Sequence, residues 1–68
     1  MSETEQALAR VEELVARLET TRGRLEELAA ADDLDGDAAV ELLAELAELA
    51  REIEAELTRA RTLADADA

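Results

Sequence analysis

From Leu8 to Ala29, apolar residues return every three or four positions: Leu8, Val11, Val15, Leu18, Leu25 and Ala29. That is the period of an α-helix, not the alternation of a strand. Written as a heptad, Leu8 and Val15 take position a, and Val11, Leu18 and Leu25 take d. Arg22 falls at a, while Leu14 and Leu28 fall at g and widen the stripe. A second run of the same period follows at Leu42, Leu46, Leu49, Ile53, Leu57 and Ala60, flanked by Leu43 and Leu63.

Between the two runs lies Ala31-Asp32-Asp33-Leu34-Asp35-Gly36-Asp37, with four Asp and one Gly in seven residues. Asp bonds locally to backbone N–H groups and Gly accepts positive φ, so this segment reads as a turn. Asp35 or Asp37 is placed to cap the second helix, and Ser2 with Glu5 forms a capping box for the first. The expected fold is all-α, a single antiparallel two-helix hairpin of coiled-coil type. Its helices are expected over about 3–31 and about 38–64, its acidic turn over about 32–37, and a frayed tail over 65–68. Each helix is then ~40–44 Å long. The weak point is Thr20-Thr21-Arg22-Gly23, because Gly costs about 1 kcal/mol in a helix interior and Thr is a mediocre helix former. The expectation is a continuous helix through it.

Composition bears on whether such a hairpin stands alone. Of 68 residues, 16 are Ala and only 16 are Leu, Val or Ile, so the apolar surface available for burial is small. A stripe that includes a g position is also wider than one neighbouring helix covers. The chain is therefore expected to be completed by oligomerisation or by a protein partner. Ion pairs expected on the helix faces are Glu13 with Arg17, Glu19 with Arg22, Glu48 with Arg51, Glu56 with Arg59 and Arg61 with Asp65.

The chain carries 7 Arg, no Lys, and 19 acidic residues, for a net charge of -12. It has no Cys, His, Pro, Phe, Tyr or Trp. No thiolate site, no nucleophile–base pair with His or Cys and no base-stacking platform is therefore available. The acidity opposes binding to nucleic acid or to anionic lipid. The acidic start, Met1-Ser2-Glu3-Thr4-Glu5, is unlike a secretory signal, and no apolar run approaches a membrane span. The expected compartment is the cytoplasm. A Lys-free mix of Ala, Leu, Arg, Glu and Asp also suggests a GC-rich bacterial coding bias.

Two constellations invite sharper chemistry. Aligning Gly36 with the glycine of an EF-hand loop puts Asp33 and Asp35 at ligand positions, but Ala31 and Leu42 then stand where two essential ligands belong. The acidic turn therefore reads as helix capping rather than a calcium loop. Glu12-Glu13, Glu26-Glu27 and the Glu52/Glu56 pair offer carboxylates, yet acid–base work needs a pocket that a two-helix chain lacks the volume to form. Arg22 is the one charge on the first apolar stripe. It either snorkels to the edge or sets register, as a polar residue at an a position does.

Two segments resemble a known family. The run Ala39-Val40-Glu41-Leu42-Leu43-Ala44-Glu45-Leu46-Ala47-Glu48-Leu49-Ala50-Arg51-Glu52-Ile53-Glu54-Ala55-Glu56-Leu57-Thr58-Arg59-Ala60 resembles the second helix of exodeoxyribonuclease VII small subunits. Val11-Glu12-Glu13-Leu14-Val15-Ala16-Arg17-Leu18-Glu19 resembles that family's first-helix core. The chain departs from the family at Leu43, where an aromatic is usual, at Leu46, where the residue is small, and at Ile53, often Cys. The link between the segments is also longer here. The resemblance implies a non-catalytic hairpin that supports a large nuclease subunit, with no catalytic residue carried over.

The functional expectation is a non-catalytic interaction or assembly module, with no cofactor and no metal. Its expected interface is Leu8, Val11, Leu14, Val15, Leu18, Arg22, Leu25 and Leu28 on the first helix, and Leu42, Leu43, Leu46, Leu49, Ile53, Leu57 and Leu63 on the second. The expected partner is a protein or a second copy, not nucleic acid, membrane or a small-molecule substrate. An accessory nuclease subunit is the first alternative. A small enzyme is the second, and the missing His, Cys and aromatics argue against it.

Overall fold

The computed structural model describes residues 1–66, almost all of them in two helices, α1 (Glu3–Ala30) and α2 (Gly36–Ala66). They have 28 and 31 residues and pack against each other along their length, joined by the turn 31–35. So short a link between two long packed helices makes them antiparallel. The all-α hairpin expected from the apolar periodicity is what forms.

Local chemistry sets the helix ends. Ser2 Oγ accepts from the Glu5 N–H at 3.1 Å and Glu5 Oε1 accepts from the Ser2 N–H at 3.4 Å, which completes the capping box. At the other end Ala31 turns extended, with φ -71° and ψ 144°, and its N–H donates to the Leu28 carbonyl at 3.2 Å. Asp35 caps α2: its Oδ1 accepts from the Ala38 N–H at 3.1 Å and its carbonyl from the Ala39 N–H at 3.0 Å.

Three boundary expectations change. The second helix starts at Gly36, not at residue 38, because Asp35 rather than Asp37 holds the cap. Gly36 serves as the first helical residue and has no positive φ, so the turn uses no left-handed glycine. The helix runs on to Ala66, so the fraying expected from residue 65 does not begin at Asp65 or Ala66. Ala is the best helix former and carries the ladder through Ala64-Asp65-Ala66 without a docked side chain. The remaining fraying expectation, for Asp67 and Ala68, lies outside the described residues.

Helix α1 is continuous through Thr20-Thr21-Arg22-Gly23. The Thr20 hydroxyl donates one turn back to the Ala16 carbonyl at 3.1 Å, and the single Thr21 hydroxyl proton is shared between the Arg17 carbonyl at 2.9 Å and Glu45 Oε1 on α2. A Cβ placed on Gly23 would meet nothing within 4 Å. Gly23→Ala should therefore raise stability by about 1 kcal/mol, since it removes backbone freedom from the unfolded chain at no steric cost. An unchanged or lowered denaturant midpoint would contradict a continuous helix at this point.

The core is a single seam between the helices. On α1 the inward row is Thr4, Ala7, Val11, Leu14, Leu18, Thr21, Leu25 and Leu28. On α2 it is Ala39, Leu42, Leu46, Leu49, Ile53, Glu56, Ala60 and Leu63. Both rows step by three and four. Among the described residues only Ala7, Leu14, Thr21, Leu49 and Ala60 are buried. Among the described residues one side-chain hydrogen bond joins the helices, Thr21 Oγ1 to Glu45 Oε1 at 3.2 Å, and it marks the register. Stepping away from it in opposite directions puts Leu14 level with Ile53, Leu18 with Leu49, and Val11 with Glu56.

This seam differs from the heptad read from the sequence. The row expected at a (Leu8, Val15 and Arg22) lies outside it, and the row expected only to flank it (Leu14 and Leu28) is central. On α2, Leu57 leaves the stripe and Leu63 joins it. One neighbour covers two of the three apolar rows on α1, and choosing the row of Leu8 would press Arg22 into the seam. Desolvating a guanidinium costs several kcal/mol, whereas Thr21 in the chosen row has its hydroxyl bonded.

Candidate interaction surface

Every second seam position is followed in sequence by a residue that flanks the seam on one broad side of the hairpin. On α1 these are Leu8, Val15, Arg22 and Ala29, after Ala7, Leu14, Thr21 and Leu28. On α2 they are Leu43, Ala50, Leu57 and Ala64. The opposite flank carries Arg10, Arg17 and Arg24 on α1, and Glu45, Glu52 and Arg59 on α2. Arg17, Arg24 and Glu45 line one shallow open groove with Ala16, Thr20 and Thr21, so the charged flanks of both helices share a side. The apolar flanks therefore share the other side.

The hairpin thus has one charged broad side and one apolar one. On the apolar side Leu8 is 46% exposed, Val15 42%, Leu43 53% and Leu57 47%. Leu34 in the turn and Val40 near the start of α2 are also exposed. The fifteen residues expected at an interface divide accordingly. Val11, Leu14, Leu18, Leu25, Leu28, Leu42, Leu46, Leu49, Ile53 and Leu63 are consumed by the hairpin's own seam. Leu8, Val15, Arg22, Leu43 and Leu57 remain outside it.

Arg22 lies in the middle of the apolar row without touching the seam. Its Nε and Nη2 donate to Glu19 Oε2 at 3.2 and 3.0 Å, and its Nη1 donates to Glu26 Oε1. The hydrogen bonds it donates to Glu19, then the charges of Glu19 and Glu26, raise its pKa above the ordinary arginine value. Arg22 therefore stays charged at any working pH. Within the hairpin it sets no register, since it faces no residue of α2 in the seam.

The other ion pairs also stay within one helix: Arg10 with Glu13 at 3.0 Å, Arg51 with Glu48 at 3.2 Å and Arg59 with Glu56 at 3.6 Å. Glu13 pairs with Arg10 instead of the expected Arg17, and Arg61 does not reach Asp65. Such exposed pairs contribute about 0.2–0.5 kcal/mol each. Against them stands the self-repulsion of a chain of net charge -12, which opposes the compact state and is screened by salt. Raising salt from low to physiological strength should therefore raise the melting temperature. A steady fall over that range would mean that the ion pairs dominate.

Sequence reasoning missed Thr4, Ala7, Thr21, Ala39 and Glu56 as seam residues. Thr21 had a signal, since it stands seven residues from both Leu14 and Leu28. Glu56 had none, because a carboxylate in a seam runs against composition. Its Oε2 is buried without a hydrogen-bond partner, although the side chain as a whole is 26% exposed. Among the described residues no group of three or more acidic side chains converges on a possible metal position, and no helix is long and apolar enough to cross a membrane. No family model, no curated protein and no solved structure matches the chain.

Proposed function

We propose that this chain is a non-catalytic helical interaction module that docks a protein through the apolar side carrying Leu8, Val15, Leu43 and Leu57. The observation that carries this reading is that four large aliphatic side chains, each about half exposed, lie on one broad side. The other broad side is lined with Arg and Glu. Single exposed apolar residues are ordinary, but an aligned row rimmed by charge marks a contact surface. Of the sixteen Leu, Val and Ile, only Leu14 and Leu49 are buried, so folding alone uses the apolar content poorly.

The test is a double substitution, Val15→Ser with Leu57→Ser, outside the seam. The variant should keep its helical circular dichroism and lose association, whether with itself or with a protein partner. Association undiminished by these changes would remove the surface from consideration. A narrower reading makes the partner the large subunit of an exodeoxyribonuclease VII-like nuclease. What favours it is that the two segments resembling that family lie on two helices packed against each other. Co-expression with such a subunit should then yield a complex that the same double substitution disrupts.

A further inference from the structure

We infer that the occupant of the apolar side is a second copy of this chain, packed broad side to broad side with both turns at the same end. The product is an up-down bundle of four helices about a twofold axis parallel to them. This inference rests on the interaction-module reading and names its partner.

Width is the first argument. Each helix carries three adjacent, mainly apolar rows, two in the seam and one outside it; Arg22 interrupts the outer row of α1, and its pairs with Glu19 and Glu26 hold its charge at the rim of that side instead of within it. Three positions in seven is the stripe of a helix with two neighbours, as in a four-helix bundle; a two-stranded seam needs only two. Each helix has one neighbour in the hairpin and lacks the second. A second copy supplies it for both helices at once, because both outer rows lie on one side.

Charge decides the arrangement. Beyond the outer apolar row of α1 runs a rim of Glu5, Glu12, Glu19 and Glu26, one per heptad. The matching rim of α2 is Val40, Ala47, Glu54 and Arg61. A twofold axis across the helices would put the turns at opposite ends and set α1 against α1 of the other copy. Glu5 would then oppose Glu26, and Glu12 would oppose Glu19, along the whole contact. An axis along the helices instead sets α1 against α2 of the other copy. Glu5 then stands level with Arg61, Glu19 with Ala47 and Glu26 with Val40, and only Glu12 with Glu54 repels. The surface is complementary to itself only in this second way, as a closed twofold contact requires. The size agrees: the hairpin measures 54 by 16 Å across its Cα atoms, a footprint near the ~800 Å² per partner of a standard interface.

The chain has no cysteine, so single-cysteine variants report the geometry cleanly. Asp33→Cys places a thiol in the exposed turn. Sedimentation of the unmodified chain should give twice 7.4 kDa, and a short bismaleimide should cross-link Asp33→Cys to a covalent dimer. Ser2→Cys should cross-link likewise, since both α1 starts then share the other end. A mixture of Ser2→Cys with Asp33→Cys should give hetero-cross-links at least on the order of ten-fold more slowly. A dimer in which only the mixture cross-links overturns the shared-end arrangement. A folded monomer, or a chain that is unfolded at every concentration tested, overturns the second copy. If such a chain then binds a different protein through Val15 and Leu57, the interaction-module reading stands without it.

Discussion

Leu14→Ala should cost about 3 kcal/mol and leave much of the chain unfolded at 25 °C. Leu14 is 0% exposed and is, with Thr21, one of the two largest fully buried side chains. Truncating a buried Leu removes its transfer free energy and leaves a cavity, together about 2–5 kcal/mol. A chain of this size has a total stability of only about 3–10 kcal/mol. Nothing on the far side of Leu14 is free to close the gap, because its level partner Ile53 is already half-buried against the same seam. The control is Leu34→Ala in the turn, where the side chain is 59% exposed and the change should stay within about 0.5 kcal/mol. Urea midpoints at matched protein concentration decide it. Equal shifts for the two variants would mean that the seam is drawn wrongly.

Glu56→Leu should move stability the other way, by roughly 1–3 kcal/mol. Glu56 occupies a seam position between Ile53 and Ala60, level with Val11. Its nearest cation, Arg59 Nη1, is 3.6 Å away, beyond a good hydrogen bond, and its Oε2 is buried without a donor. Leucine there replaces an unsatisfied acceptor with apolar contact against Val11. The same charge also penalises any slip that would carry it opposite another apolar layer. The variant should therefore melt higher while populating more than one assembly state by sedimentation. A lower midpoint would show that the ion pair with Arg59 holds the seam together.

The fold was legible because its signals are local. Ser2 and Glu5 form their capping box, the acidic segment breaks the chain once, and the periods of three and four survive Gly23. The choice of seam was not legible. Three apolar rows on α1 fit the sequence equally well until the cost of desolvating Arg22 is set against the bonded hydroxyl of Thr21. That comparison needs a neighbouring helix and is absent from the periodicity of either helix alone. The same holds for the candidate surface: Leu8, Val15, Leu43 and Leu57 were visible as apolar positions. Only the antiparallel register shows that they share a side. Gly36 shows the opposite error, where a residue typical of turns was read as one although Asp35 draws it into the helix.

The hairpin also implies an order of folding. Contacts near the turn join residues close in the chain, such as Leu28 and Ala39, whereas Ala7 and Ala60 must close a loop of nearly the whole chain. Loop closure costs more entropy the longer the loop, so the seam should zip from the turn outward. Composition reinforces the direction: Leu25, Leu28, Leu42 and Leu46 fill the turn half, and Thr4, Ala7, Glu56 and Ala60 weaken the open half. Amide protons of Leu42 to Leu49 should therefore exchange with solvent more slowly than those of Glu56 to Leu63. The helix ends farthest from the turn are the part of this protein that opens first, and a protease would enter there before it could cut the acidic turn's neighbouring helices.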